Sequence, residues 1–192
     1  MRCGTGVPVD HAEATKWHRR AAEQGDAGAQ FTLGTLYQTG QNVSQDFAEA
    51  ARWFKRAADQ GHFDAQYKLG LCHQNGQGVK QDYQEAARYF TKCAEQGHLD
   101  SRLALGQLYF EGLGVPQNHA EAFKMFSGAA DAGHAGSMFK LGVCHAQGLG
   151  VPQDQAKAAQ WFRKAAERND AAAQFKLAQA LDEGHGVAVN AS

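Results

Sequence analysis

Apolar positions in this chain keep a helical rhythm that restarts at a fixed interval. Leu33, Leu69, Leu105, Leu141 and Leu177 stand 36 residues apart; glycine follows the first four and Ala178 follows the last. Around the first of them, Ala29, Leu33, Leu36, Tyr37 and Gly40 share one face at i, i+4, i+7 and i+8 spacing, which predicts an amphipathic helix. Gly34, beside Leu33, is small enough to admit a neighbouring helix at close range. Two glycines one residue apart then recur as Gly76–Gly78, Gly112–Gly114 and Gly148–Gly150, each pair followed by valine. That pattern predicts a turn with positive φ, a region Asn42 also visits where it replaces one glycine.

A second helix follows each turn. Asp10, Asp46, Asp82 and Asn118 precede helical runs and have glutamate three residues on, at Glu13, Glu49, Glu85 and Glu121. This is the reciprocal capping box; Asp154, followed by Lys157, keeps only half of it. The predicted core face carries Ala50, Trp53 or Phe54, Ala57 and Ala58 and their equivalents one period along. Gly25, Gly61, Gly97, Gly133 and Asn169 are expected to end these helices in left-handed conformations. The chain therefore reads as one all-α repeat domain over 1–192. Partial units span 4–28 and 173–192, and full helix–loop–helix units span 29–64, 65–100, 101–136 and 137–172.

The motif A-x-x-x-L-G-x-x-Y-x-x-G-x-G-V, closed by A-x-x-(W/Y)-F-x-(K/R)-A-A-x-x-G, resembles the Sel-one-like repeat (SLR) family over residues 4–187. The resemblance implies a right-handed, tetratricopeptide-like α/α solenoid that acts as a scaffold or adaptor in protein complexes, and it implies no particular partner.

Composition narrows the function classes. Formal net charge is −1, with 19 Lys and Arg against 20 Asp and Glu, and the longest basic run is Arg19–Arg20. Neither nucleic acid nor an anionic membrane fits as partner. No apolar stretch approaches the roughly 20 residues of a membrane span, and residues 1–10 lack the apolar run of a signal peptide. The cysteines are Cys3, Cys72, Cys93 and Cys144. Cys72 and Cys144 hold the inward position of Leu36 and Leu108, so they read as small core residues. They stand two units apart, beyond the ~7 Å limit for bridging. A secreted, cysteine-rich branch of the family joins successive units by disulfides. Cys93 sits where that pattern begins, but the stretch from Ser101 holds no partner. Free thiols favour the cytoplasm; a periplasmic or secreted location follows if an upstream leader precedes this chain.

Chemistry-bearing residues find simpler explanations. His62, His98 and His134 recur at one repeat position, on the order of 10 Å apart as helices pack, too far apart for one ion. His73 and His145 replace the packing tyrosines Tyr37 and Tyr109. Ser44, Ser101, Ser127, Ser137 and Ser192 lie in no nucleophile motif, and the glycine pairs lack the G-K-(S/T) ending of a phosphate loop. No catalytic residue, metal site or cofactor is read.

What remains is the first-helix face opposite the Leu–Gly–Tyr core, which lines the concave groove in tetratricopeptide-like solenoids. It holds Phe31, Thr35 and Gln38, then Tyr67, Leu71 and Gln74, then Leu103, Gln107 and Phe110, then Phe139, Val143 and Ala146, with Phe175 and Gln179 continuing the row. The third position of each unit is apolar throughout and is expected to pack between adjacent first helices. The others vary, and Leu71, Phe110 and Val143 are expected to form an exposed apolar strip for a peptide or helix. Lys68, Lys140 and Lys176 edge this face. The resulting expectation is a non-enzymatic scaffold gripping a protein or peptide segment. The alternatives are a secreted family member with penicillin-binding or β-lactamase-like activity, or a toxin-immunity protein. Since the chain opens and closes in mid-unit, Trp17, Leu177 and Leu181 are expected to be partly uncovered, with further chain or end-to-end association to cover them.

Overall fold

The computed structural model describes residues 10–184, and over these it contains ten α-helices and no strand. Residues 1–9, Cys3 among them, and 185–192 lie outside the described residues. Two compact units divide at Asp82 and Tyr83. The first holds α1 (His11–Glu23), α2 (Ala27–Thr39), α3 (Phe47–Asp59) and α4 (Phe63–Asn75). The second holds α5 (Tyr83–Glu95), α6 (Leu99–Glu111), α7 (His119–Asp131), α8 (Ala135–Gln147), α9 (Gln155–Ala166) and α10 (Ala171–Asp182). Within each unit a helix packs on its neighbours in sequence, so α3 lies between α2 and α4, and α7 between α6 and α8.

The expected left-handed helix ends are present: φ is 85° at Gly61, 92° at Gly97 and Gly133, and 62° at Asn169. At the end of α3, Gly61 N donates to the Ala58 carbonyl and His62 N to that of Ala57, both at 3.0 Å. This is the Schellman pattern, which satisfies two orphan carbonyls at once. His62 then caps α4, its Nδ1 accepting from Ala65 N at 3.3 Å. His98 and His134 cap α6 and α8 in the same way, each accepting from a serine amide at 3.2 Å, while Asp26 and Asp170 do so for α2 and α10. One residue thus ends one helix and starts the next. The repeat histidines are structural caps, and the first helices start ahead of the alanine or serine that opens the unit frame.

The capping boxes form only in part. Asp46, Asn118 and Asp154 accept from amides of the following turn as expected. The reciprocal half is missing, because the cap's own amide is already used. Asp46 N donates to Tyr37 O at 3.0 Å, Asn118 N to Tyr109 O at 2.8 Å, and Asp154 N to His145 O at 2.8 Å. These bonds hold each second helix to the first helix before it. The released glutamates pair forward instead, Glu49 with Arg52, Glu85 with Arg88 and Glu121 with Lys124. Such exposed i,i+3 pairs contribute little.

The core is a ring-over-glycine contact repeated along the chain. Phe54 and Phe126 are fully buried, and Phe162 nearly so. A Cβ built on Gly34, Gly106 or Gly142 would stand 2.7, 2.5 and 2.4 Å from those rings, respectively. Buried alanines accompany the contact on both helices, Ala50, Ala57, Ala122 and Ala129 on the second and Ala29 and Ala104 on the first. Ala178, which takes the place of that glycine in the last unit, is exposed. Gly128, by contrast, lies inside α7, and a Cβ there meets only Arg102 Nη1 at 3.4 Å. Gly128→Ala is therefore expected to stabilise the protein by about 1 kcal/mol through helix propensity alone, read from urea denaturation midpoints.

Cys72 and Cys144 are buried free thiols, and Cys93 is buried as well. Burial pushes Cys72 and Cys144 up to about 11, against a smaller downward pull from Lys68 and Lys140. As thiols rather than thiolates they are unreactive at neutral pH.

Candidate binding surface

The first-helix row is less open than its sequence implies. Phe31, Thr35, Gln38, Tyr67, Leu71 and Gln74 in the first unit are all half-buried. So are Leu103, Gln107, Phe110, Phe139, Val143 and Ala146 in the second; Phe175 alone of the apolar members is well exposed, at 63%. The expectation that Leu71, Phe110 and Val143 stand exposed is therefore corrected: each keeps only part of its surface in water. For Phe110 the cause is visible. Its ring meets His119 edge-on at 5.0 Å and tilts against Phe126 at 6.4 Å, so the second helix of its own repeat partly covers it.

The third-position aromatics also behave differently from expectation. Phe31 packs on Phe54 at 5.8 Å and stacks on the cap histidine His62 at 4.8 Å, and Phe139 packs on Phe162 at 5.7 Å. Each packs on the second helix of its own repeat, and Phe31 also on the cap that starts the next first helix. Leu103 comes nearest to the expected packing between first helices, lying 3.3 Å from the Cβ position of Gly136.

The end of the row is built by a recurring side chain. Gln45, Gln81, Gln117 and Gln153 donate to the carbonyls of Gln38, Gln74, Phe110 and Ala146 at 2.8 to 3.0 Å. These bonds satisfy last-turn carbonyls and fix the turn against the row. Gln74 Oε1 is buried without a hydrogen-bond partner. Beyond Val143 and Ala146, a cleft of about 180 Å³ is lined also by Phe162, Lys176, Gln179 and Glu183. Lys68 and Lys140 are half-buried and Lys176 is exposed, bonded to Gln179.

His145 shows how the row's underside is kept dry. It is 8% exposed and meets Phe123 edge-on at 5.6 Å. Burial, then the Lys157 charge, lowers its pKa from the ordinary 6.5, outweighing Asp154 and the Pro152 carbonyl. A histidine whose pKa falls on folding favours the neutral form. Its stabilising effect is complete above the unfolded value and is lost as acid forces the proton on. Stability is thus expected to fall as the pH drops below about 6.5. His145→Tyr, the residue present at Tyr37 and Tyr109, should flatten that fall in denaturation series.

Among the described residues no three His, Cys, Asp or Glu side chains stand together as a metal-ligand set. No described helix is long and apolar enough to cross a membrane. The arrangement is that of an all-α protein of stacked helix–loop–helix repeats. The chain belongs to the Sel1 repeat family, whose model matches residues 2–26, 27–62, 63–98, 99–134, 135–170 and 171–192. It is similar to c5321, a protective antigen of uropathogenic Escherichia coli with an SLR fold, at 41% identity and a TM-score of 0.88. That match covers 93% of this chain and 38% of the antigen chain. It is similar also to a Sel1 repeat protein of Oxalobacter formigenes, at 31% identity and a TM-score of 0.81, over 92% of this chain and 72% of that one. The immunity protein Pa5087 of Pseudomonas aeruginosa shares the fold at 23% identity and a TM-score of 0.58, over 88% of this chain and 63% of that one. No curated protein matches the sequence.

Proposed function

We propose that this protein is a non-enzymatic interaction scaffold that holds a protein or peptide segment along its first-helix row. The observation that carries this reading is the contrast within one chain. Caps, loop glycines and ring-over-glycine positions repeat from unit to unit. The seventh position runs through Thr35, Leu71, Gln107 and Val143, and the tenth through Gln38, Gln74, Phe110 and Ala146, without a pattern. Positions that packing does not dictate are free to carry specificity. Half-buried apolar side chains along the row, Leu71 and Val143 among them, offer a peptide a contact surface. The reading includes the cytoplasm as compartment, consistent with buried thiols. It also includes end-to-end contact through Trp17 and Leu181, 58% and 47% exposed; Leu177 is half-buried.

The test is affinity capture from source lysate with wild type and a Leu71→Asp, Val143→Asp variant, checked for native helicity. Phe110 is left intact because it supports Phe126. A protein bound by wild type and lost by at least about tenfold in the variant is expected, since burying an unpaired charge costs more than 1.4 kcal/mol. Equal capture by both would remove the row as the binding surface.

A further inference from the structure

Trp53 on α3 is 8% exposed and packs in a cluster with Ala22 and Leu33, edged by Leu36 and Tyr37. The Arg56 guanidinium stands over its ring at 4.6 Å. Trp161 on α9 is covered likewise by Lys164, at 4.1 Å from the ring. Indole and cation together close the space between successive second helices.

Two periods on from Trp53, the same surroundings return as Ala94, Leu105, Leu108 and Tyr109, but the plug does not. Met125 stands for Trp53 and Gly128 for Arg56, while Thr91 replaces the bulkier Arg19. The result is a pocket of about 440 Å³ lined by Thr91, Ala94 and Glu95 of α5, Arg102, Leu105 and Tyr109 of α6, and Lys124, Met125 and Gly128 of α7. One change runs the other way. Gln30 and Gln66, which donate to Ala22 O and Ala58 O, have Arg102 as their equivalent. Arg102 makes the same bond through Nε to Ala94 O and extends Nη1 to Gly128 O, both at 3.3 Å. The guanidinium is pinned where the side chain at position 128 would begin. The repeat has lost its ring and kept a cation, now supplied from the opposite helix.

We propose that this α5–α6–α7 pocket binds an aromatic side chain of a partner protein. The incoming ring occupies the place that Trp53 fills in its own repeat, on Ala94, Leu105 and Met125, with the Arg102 guanidinium against its face. Ala94, Leu105, Tyr109 and Met125 supply the apolar walls a ring requires, beside Thr91, Arg102 and Lys124. The guanidinium complements the negative π face, and Glu95 at the rim offers an acceptor for an indole N–H. The site is formed by second helices and the floor beneath them, so it stands or falls apart from the first-helix row.

The probe is N-acetyl-tryptophanamide, titrated into the 15N-labelled protein and followed by amide shifts. Saturable shifts confined to Ala94, Leu105, Gly128 and their neighbours are expected, with a dissociation constant of about 1 mM, as suits a fragment-sized ligand. Met125→Trp and Gly128→Lys together with Arg102→Met rebuild the plug of α9, where Trp161, Lys164 and Met138 hold those positions, so the variant should fold, and it is expected to weaken binding at least about tenfold. Arg102→Gln should weaken it about threefold while leaving the pocket open. No shift at these amides up to about 10 mM probe, several times the expected constant, would overturn the proposal. So would unchanged binding in the plugged variant, or equal binding of N-acetyl-leucinamide, which would reduce the site to a general apolar hollow.

Discussion

Phe126→Ala is expected to lose about 3–5 kcal/mol of stability, the cost of emptying a fully enclosed aromatic site. Gly106→Ala should lose about 1–3 kcal/mol for the opposite reason. Its new methyl would stand 2.5 Å from Phe126 Cε1 and 3.2 Å from Met125 Cβ, so ring and helix would have to part. The two changes are expected to couple strongly. Once Phe126 is alanine, the methyl at position 106 enters vacated space, and Gly106→Ala should turn neutral or stabilising by up to about 1 kcal/mol. Urea denaturation of the four proteins in the cycle reads the coupling directly. Additive losses would show that the glycine is there for some reason other than the ring.

The second large effect separates the two glycines of the loop. Gly148 and Gly150 both have positive φ, 70° and 74°. A Cβ on Gly148 would meet the Gln153 side chain at 3.3 Å, whereas one on Gly150 would stand 2.2 Å from the His119 carbonyl oxygen. Asn42, at φ 62° in the register of Gly150, shows that the left-handed conformation by itself admits asparagine, so the approach to the His119 carbonyl is what sets Gly150 apart. Gly148→Asn is therefore expected to cost no more than about 1 kcal/mol. Gly150→Asn should cost more than about 2 kcal/mol, because backbone must move to admit any side chain. Thermal melts of the two single variants test this. Equal losses would mean that φ, and not the approach to α7, decides the position.

Much of this architecture was legible before any coordinates. Positive-φ glycines and capped helix starts are local devices, set by atoms within a few residues, so their spacing alone located ten helices and their joints. The inward face followed from the 3.6-residue period, as Leu33, Phe54 and Ala57 confirm by full burial. The role of His62, His98 and His134 was equally local, yet histidine's caps are harder to read because its acceptor is a ring nitrogen rather than a carboxylate.

Other features depended on what crosses between elements. The reciprocal capping box failed because Tyr37 O, nine residues earlier in sequence, takes the Asp46 amide. Leu71, Phe110 and Val143 have the pattern of an open strip, and contacts such as that of Phe126 on Phe110 withdraw part of it from water. The aromatic pocket lay furthest from view. Met125, Gly128, Thr91 and Arg102 are scattered over three helices, and each substitution alone reads as ordinary repeat drift. Periodicity determined which residues face inward and where helices end, since those depend on neighbours along the chain. Whether a space between helices is filled is a sum of volumes contributed from distant positions, and only the packed tertiary structure performs that sum.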